Sequence, residues 1–474
     1  MKAPCVTGGL GVPVGLPPVK VGGGPTVHLG AVSAPRIPSL KEGIAMALEL
    51  SSLFGPRRDD TVGTMARGLQ GSEILRIAAE IRELVAQGRQ VCNLTVGDFD
   101  PSQFPIPSAL GEGIAAGLTA GETNYPPSDG VLPLRQAVLR FYERALGLRY
   151  PLESVLITAG ARPIIYGLFR TVLDAGDTVV YPVPSWNNNH YAHMMGVRKV
   201  EVRTDAEHGF MPTVEQLAPH LSEARLLCLC SPLNPTGTMI SPEALRDIGQ
   251  RVVEENRRRE ALGTKPLLLL FDQIYWTLTF GQARHVTPLE LVPELAPYTV
   301  FVDGISKAFA ATGVRVGWAL GPPSIISRMK DVLGHVGAWA PKAEQGAVAR
   351  FLEDVPAMSG FLESMRKRLD ERLVALHQGF TAMREAGLPV RSIAPQGAIY
   401  LSVQFELVGR AGLRTNNDIR KLLLDKAGFA LVPFQAFGLM EDTGWFRLSV
   451  GAVSLEDIRA ALPRVESVLR AVGP

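Results

Sequence analysis

The stretch FVDGISKAFAATGVRVGW, residues 301–318, decides how the rest of the chain is read. Val300, Phe301 and Val302 predict a buried strand that Asp303 and Gly304 end, so the Lys307 amine emerges at a strand's carboxyl end. Ligand crevices of open α/β sheets form there. Arg315 stands between Gly313 and Gly317, where two missing side chains let a guanidinium and its backbone approach an anion. An amine beside an anion clamp points to a phosphorylated aldehyde; a surface Lys and a surface Arg near a turn is the alternative for this stretch alone.

Outward from it, residues 108–321 alternate short apolar runs with longer helical stretches, the signature of a mostly parallel sheet with crossovers. The expected strands are Val155–Thr158, Thr178–Tyr181, Lys199–Val202, Leu226–Cys230, Leu267–Phe271, Thr299–Val302 and Val316–Leu320. After Pro322 come helices over 324–332 and 360–386, short strands around Tyr400, Leu431 and Phe446, and a last helix Leu455–Val472 behind Ser454. These predict a smaller α+β domain. Upstream, Ser72 caps a helix whose Ile74, Ile77, Ala78, Ile81, Leu84 and Val85 share one face and whose end Gly88 suits. A strand over Val91–Val96 follows, placed to join the small domain. Residues 1–64, including GGLGVPVGLPPVKVGGGP, predict a largely disordered extension without a secretory core, with helical spacing only at Ile44–Phe54. The expected organisation is therefore α/β: extension 1–64, arm and part of the small domain 65–107, a large domain 108–321 with a seven-stranded sheet flanked by helices, and a C-terminal small domain 322–474.

The chain has 474 residues, 46% hydrophobic and 20% charged, an ordinary globular composition. A net charge of +2 provides no field for nucleic acid or a membrane surface, and no apolar run spans a bilayer. Four cysteines, with Cys228 and Cys230 in one apolar run, match neither a zinc spacing nor a disulfide framework, and a reducing, cytoplasmic setting is expected. The helix Pro242–Arg259, capped by Ser241, ends in EENRRRE (254–260), read as a solvated face.

Further positions carry chemistry. Gly160, Ala161 and Arg162 turn a strand end into a helix opened by Pro163, which is either a helix N-terminus that exposes N–H groups to a phosphate or a tight strand-to-helix turn without a ligand. Trp186 follows the strand ending at Tyr181 and offers a face for ring stacking. Asn234 opens NPTG after the LLCLC strand. Asp272 and Tyr275, in DQIY, end the LLLLF strand, and a carboxylate there needs a cationic or N–H partner. His190 and His193 share a helical face, but no third ligand is spaced to make a metal site with them.

Gly160 and its neighbours, Trp186, NPTG, DQIY, SKAFAATGVRVGW and the later WFRLSVG stand in the order and approximate spacing of class I and II aminotransferases. The chain resembles a fold-type I pyridoxal-phosphate enzyme of that family, bacterial aspartate aminotransferases in particular, from about residue 65 to the end. The resemblance implies pyridoxal 5'-phosphate as cofactor and a homodimer with a shared site. Lys307 would hold the cofactor as a Schiff base and, once freed, carry the proton. Asp272 would pair with the pyridine nitrogen, Asn234 and Tyr275 with the phenolic oxygen, and Trp186 would stack on the ring. Arg315, Ser306 and the Gly160–Ala161 backbone would hold the phosphate, with Tyr125 reaching in from a second subunit. Arg447 would grip the α-carboxylate, and Gly97 would line the same spot. Arg162 would be a side-chain-carboxylate ligand, a phosphate ligand or surface charge.

Two positions depart from the family pattern: Gln273 stands where DE is common, and Gly304 where a phosphate-binding serine is common. The activity implied is transfer of an amino group from an L-amino acid, aspartate or glutamate among the candidates, to a 2-oxo acid. A lyase or synthase on the same fold would use much the same ring-holding residues. A DNA-binding regulator carrying such a domain would need a basic N-terminal module that residues 1–64 do not provide.

Overall fold

The structure, a computed structural model, describes residues 50–55 and 61–473. The chain divides into two units, residues 1–59 and 60–474. Most of the expected extension, including most of Ile44–Phe54, lies outside the described residues; within the first unit Ser51–Leu53 form a single 3-10 turn. In the second unit helix α1, Glu73–Ala86, begins where Ser72 accepts a hydrogen bond from the Leu75 N–H. Its buried face is Ile77, Ala78 and Ile81, whereas Val85, expected on that face, is exposed.

Helix α2, Leu132–Leu146, precedes a sheet of seven strands. These are β1 (Val155–Thr158), β2 (Thr178–Val183), β3 (Arg198–Arg203), β4 (Ala224–Cys230), β5 (Leu268–Asp272), β6 (Thr299–Gly304) and β7 (Gly317–Leu320). Each lies on an expected strand, with ends shifted by a residue or two. The order across the sheet is β1-β7-β6-β5-β4-β2-β3. All strands run parallel except β7, which is antiparallel to both neighbours. Helices α2, α3 (Ala161–Val172) and α4 (Pro242–Ala261) supply apolar residues to the cores on the sheet's two faces, which is why β5 and β6 read as continuous apolar runs rather than alternating ones. Register sets the site: Cys230 lies opposite Asp272, Asp272 opposite Val302, and Gly304 opposite Gly317.

The run EENRRRE is not the solvated face expected of it. Glu255, Asn256 and Arg259 are buried. Arg259 donates to the Leu221 and Ala224 carbonyls at 2.8 and 2.7 Å and to Glu255 at 2.6 Å, and Asn256 exchanges two hydrogen bonds with the Leu267 backbone. These three of the run's seven residues tie α4 to the starts of β4 and β5.

A second, antiparallel sheet has the order β10-β11-β9-β8, from β8 (Val390–Ser392), β9 (Tyr400–Phe405), β10 (Val432–Pro433) and β11 (Trp445–Ser449). The strand expected over Val91–Val96 is shorter. Only Cys92–Asn93 pair, parallel to Phe429–Ala430 beside the second sheet, because Leu94 and Thr95 turn their carbonyls to Ser449 N and Arg447 Nη2 instead. Helix α5, Val355–Glu385, starts ahead of its expected position since Asp354 caps it by accepting from Ala357 N at 3.1 Å. Its first turns place Met358 and Leu362 in the core of the large sheet, and its later turns place Leu369, Leu376 and Phe380 in the core of the second. Helices Pro323–Val336 and Lys342–Glu353 pack on α3 and α2 respectively, so residues 323–353 lie with the large sheet. Among the described residues no helix is long and apolar enough to cross a membrane.

Candidate active site

Strand β6 ends at Gly304, and the single turn Ile305–Ala308 presents Lys307 at the sheet's carboxyl edge. Its Nζ donates to the Gly97 carbonyl at 2.6 Å. Burial pushes the amine down to about 8; the Asp98 carboxylate opposes this, and the guanidinium groups of Arg447, Arg162 and Arg315 add to it. An amine reacts only as its free base, and that fraction grows as pH passes upward through the pKa. In cofactor-free protein, trinitrophenylation of Lys307 is therefore expected to half-saturate near pH 8 when followed on the Lys307 peptide by mass spectrometry. A midpoint at the ordinary lysine value of about 10.4 would contradict it.

Asp272 closes β5 beside that amine. Burial raises its carboxyl to about 6, opposed by a hydrogen bond accepted from Ile274 N at 3.0 Å. Tyr275 shares a 2.7 Å hydroxyl bond with Tyr400 of β9, and burial keeps its own hydroxyl well above the usual phenol range. Asn234 accepts from Arg447 Nη1 at 3.2 Å, and Arg447 Nη2 donates to the Thr95 carbonyl at 2.5 Å. Arg447 lies between the Tyr400 and Phe437 rings, 4.8 and 4.9 Å from their centroids, and its buried Nε has no hydrogen-bond partner. On the opposite wall the Arg162 guanidinium stacks 4.7 Å from the Trp186 ring.

A cavity of about 540 Å³ gathers Gly97, Ala161, Arg162, Trp186, Asn234, Asp272, Tyr275, Ser306, Lys307, Arg315 and Arg447. Gly160 lies just behind, at the N-terminus of α3: a Cβ there would sit 2.1 Å from Arg315 Nη2, and the backbone is in the left-handed region at φ 87°. Arg315 is fixed by bonds to the Thr312 and Ala159 carbonyls at 2.6 and 2.9 Å. Tyr125 is elsewhere, 82% exposed and edge-on to Trp339. His193 is engaged with the Met65 carbonyl at 2.8 Å. Sequence reasoning did not single out Asp98, Thr312 and Tyr400, which line the same cavity. Thr312 donates to Asp98 at 2.5 Å. Gly97 and Pro101 around Asp98, and the turn before Tyr400 in QGAIY, mark these positions only as loop and strand end.

Gly304 has a packing reason. A Cβ there would lie 2.7 Å from Gly317 Cα and 2.8 Å from the Val316 carbonyl, so β7 occupies the place of the serine side chain common in the family. Gly304→Ser is expected to lower stability by about 1–3 kcal/mol, because backbone rather than a flexible side chain must yield. An unchanged urea midpoint would contradict the clash.

The residues present fit pyridoxal phosphate. The hydrogen bonds of Arg315 and Arg447 go to carbonyls and an amide, and among the described residues no carboxylate pairs with either of them or with Arg162. Arg447 is buried, and a buried guanidinium in that state calls for an anion, while Arg315 is half-buried and Arg162 exposed at the cavity's edge. Asp272, in turn, has an N–H but no cationic partner among the described residues, and a protonated ring nitrogen would supply one.

The family model "Aminotransferase class I and II" matches residues 89–465. The aspartate aminotransferase of Geobacillus stearothermophilus is 31% identical over 415 residues, covering 85% of this chain and 97% of that protein. The aspartate/prephenate aminotransferase of Thermus thermophilus is 31% identical over 410 residues, with the same two coverages of 85% and 97%. Among solved structures, the Thermus thermophilus aspartate aminotransferase with maleate superposes with a TM-score of 0.77 at 29% identity, over 86% of this chain and 99% of that one. Fold, cavity and sequence agree, and the chain belongs to the class I and II aminotransferases as a pyridoxal-phosphate-dependent transaminase of fold type I.

Proposed function

We propose that this transaminase takes dicarboxylic amino acids, aspartate or glutamate, as amino donors. The observation that carries the reading is the placement of two guanidinium groups without carboxylate partners at the Lys307 cavity: Arg447 buried beside Asn234, and Arg162 on the Trp186 face. One suits an α-carboxylate and the other a side-chain carboxylate. Relatives named aspartate aminotransferases support this choice.

When bound, the cofactor supplies an electron-accepting ring. The chain does the rest. Lys307 Nζ takes the proton from the substrate's Cα and returns one to the product; its lowered pKa leaves more of it as free base near neutral pH than an ordinary lysine. The Asp272 carboxylate would hold the proton on the cofactor's ring nitrogen, while Asn234 and Tyr275 would donate to its phenolic oxygen. Ser306, Arg315 and the Gly160–Ala161 amides at the α3 N-terminus would hold its phosphate. Gly97 positions the Lys307 amine through its carbonyl.

Replacing Arg162 by alanine tests the substrate assignment. Loss of a charge-assisted pair, worth about 1.5–3 kcal/mol, lowers kcat/KM for aspartate and glutamate roughly 10- to 150-fold while a neutral amino acid changes by less than about threefold. An equal fall for both classes would remove the assignment.

Three further readings belong to the same proposal. Tyr125 serves the cavity of a second subunit in a homodimer, as its exposure and absence from its own chain's cavity suggest. The small domain comprises an N-terminal part within 65–107 and the chain from α5 onward. Packing of residues 323–353 against the large sheet favours a division near α5 over one at 321/322. A reducing, cytoplasmic setting fits Cys92, Cys228 and Cys230, none of which is paired.

A further inference from the structure

A second cavity, of about 830 Å³, shares no lining residue with the catalytic one. The end of α2, the loop after β5 and the first turns of α5 enclose it. Phe141, Leu289, Met358 and Leu362 form an apolar wall. Beside them stand two polar side chains, Thr277 and His285, that are only 6% and 8% exposed. Thr277 Oγ1 and His285 Nδ1 are both buried without a hydrogen-bond partner. Native interiors leave few such atoms, and the imidazole nitrogen at this cavity calls for a partner.

The chemistry of the missing partner follows from the network behind them. Gln273 Nε2 donates to the Tyr142 hydroxyl at 3.1 Å, which turns Gln273 Oε1 toward His285 Nε2 at 3.3 Å. The hydrogen of His285 then sits on Nε2, and Nδ1 is an acceptor that needs an N–H or O–H. Burial, which pushes this imidazole down to about 3, keeps it neutral in that role. At the rim, Arg284 is paired with Glu290 at 2.9 Å, while Arg366 is exposed and has no carboxylate partner among the described residues. The cavity thus offers an apolar wall, a shielded acceptor and one free cation.

We propose that this cavity binds a small aromatic carboxylate carrying an O–H or N–H donor on its ring. The ring lies against Phe141, Leu289 and Leu362, the donor meets His285 Nδ1, and the carboxylate pairs with Arg366. This is a site apart from transamination: none of its lining residues lines the Lys307 cavity, although Gln273, behind His285, directly follows Asp272 in the chain.

The test is calorimetric titration of the cofactor-loaded enzyme with 4-hydroxyphenylacetate, which has neither an amino nor a keto group and so cannot turn over. One saturable site per chain is expected. Phenylacetate, without the hydroxyl, binds about fivefold more weakly, the usual worth of one hydrogen bond. Arg366→Glu weakens binding at least about tenfold and leaves transamination kinetics unchanged. Leu362→Trp, which fills the cavity, abolishes binding, and Arg447→Ala in the catalytic pocket leaves it intact. Three results would overturn the proposal: no saturable binding, which makes this a water-filled cleft; affinity indifferent to Arg366→Glu; or binding lost with Arg447→Ala, which places the probe in the catalytic pocket. If Leu362→Trp does not fold, the exposed Arg366 decides alone.

Discussion

Lys307→Ala is expected to lower transamination by roughly 10⁴-fold and to leave the protein folded, because the variant loses both the covalent anchor and the group that moves the proton. Among the residues lining the cavity Lys307 carries the only amine, so no neighbour can take over. Its side chain is held by one carbonyl, Gly97 O at 2.6 Å, and little else depends on that bond. Two measurements separate this from a structural effect. Borohydride reduction of the cofactor-loaded wild-type protein labels the Lys307 peptide, whereas the variant takes up no label there. Added methylamine, small enough for the space the side chain leaves, restores part of the proton-transfer rate. A variant within tenfold of wild type, or a label on another lysine, would remove the basis of the site.

Arg447→Lys is expected to raise KM for every amino acid substrate and to lower kcat/KM about 10²–10³-fold, the cost of breaking a buried, charge-assisted contact. Lysine keeps the charge but cannot reproduce the planar fork that bonds to Asn234 Oδ1 and the Thr95 carbonyl while keeping further N–H groups for a carboxylate. The loss falls alike on dicarboxylic and neutral substrates, in contrast to Arg162→Ala, since every amino acid presents an α-carboxylate. Steady-state kinetics with aspartate and with alanine distinguish the two. Equal KM values in wild type and variant would place the α-carboxylate elsewhere.

Most of the architecture was legible because it rests on local patterns. Val155–Thr158 and Leu455–Val472 were bounded correctly since a Gly-terminated apolar run and a Ser cap are visible in the chain itself. That Lys307, Asp272 and Asn234 gather at one cavity was legible for a different reason: each follows an apolar strand, and strand ends in such a sheet converge. Tyr400 and Asp98 escaped notice because nothing near them in sequence says that β9 and the 97–100 loop reach across to Tyr275 and Lys307. The misreading of EENRRRE has a physical cause as well. Charge alone does not tell a solvated face from one whose ions are buried with carbonyl and carboxylate partners, as Arg259 and Glu255 are. Gly304 reads in sequence as the place of a phosphate-binding serine, and only the packing of Val316 and Gly317 against it shows why a side chain does not fit.

Helix α5 bears on how such a protein can be recombined. One uninterrupted element of 31 residues contributes Met358 and Leu362 to one core and Leu369, Leu376 and Phe380 to the other. A crossover within it, joining this chain to a relative, would ask each core to accept foreign side chains on one rigid rod, with no loop to absorb the mismatch. A junction between Gly321 and Pro322 falls outside any helix or strand but separates Pro323–Val336 from the α3 surface on which it packs. A recombinant that divides this helix therefore has to repack both cores at once.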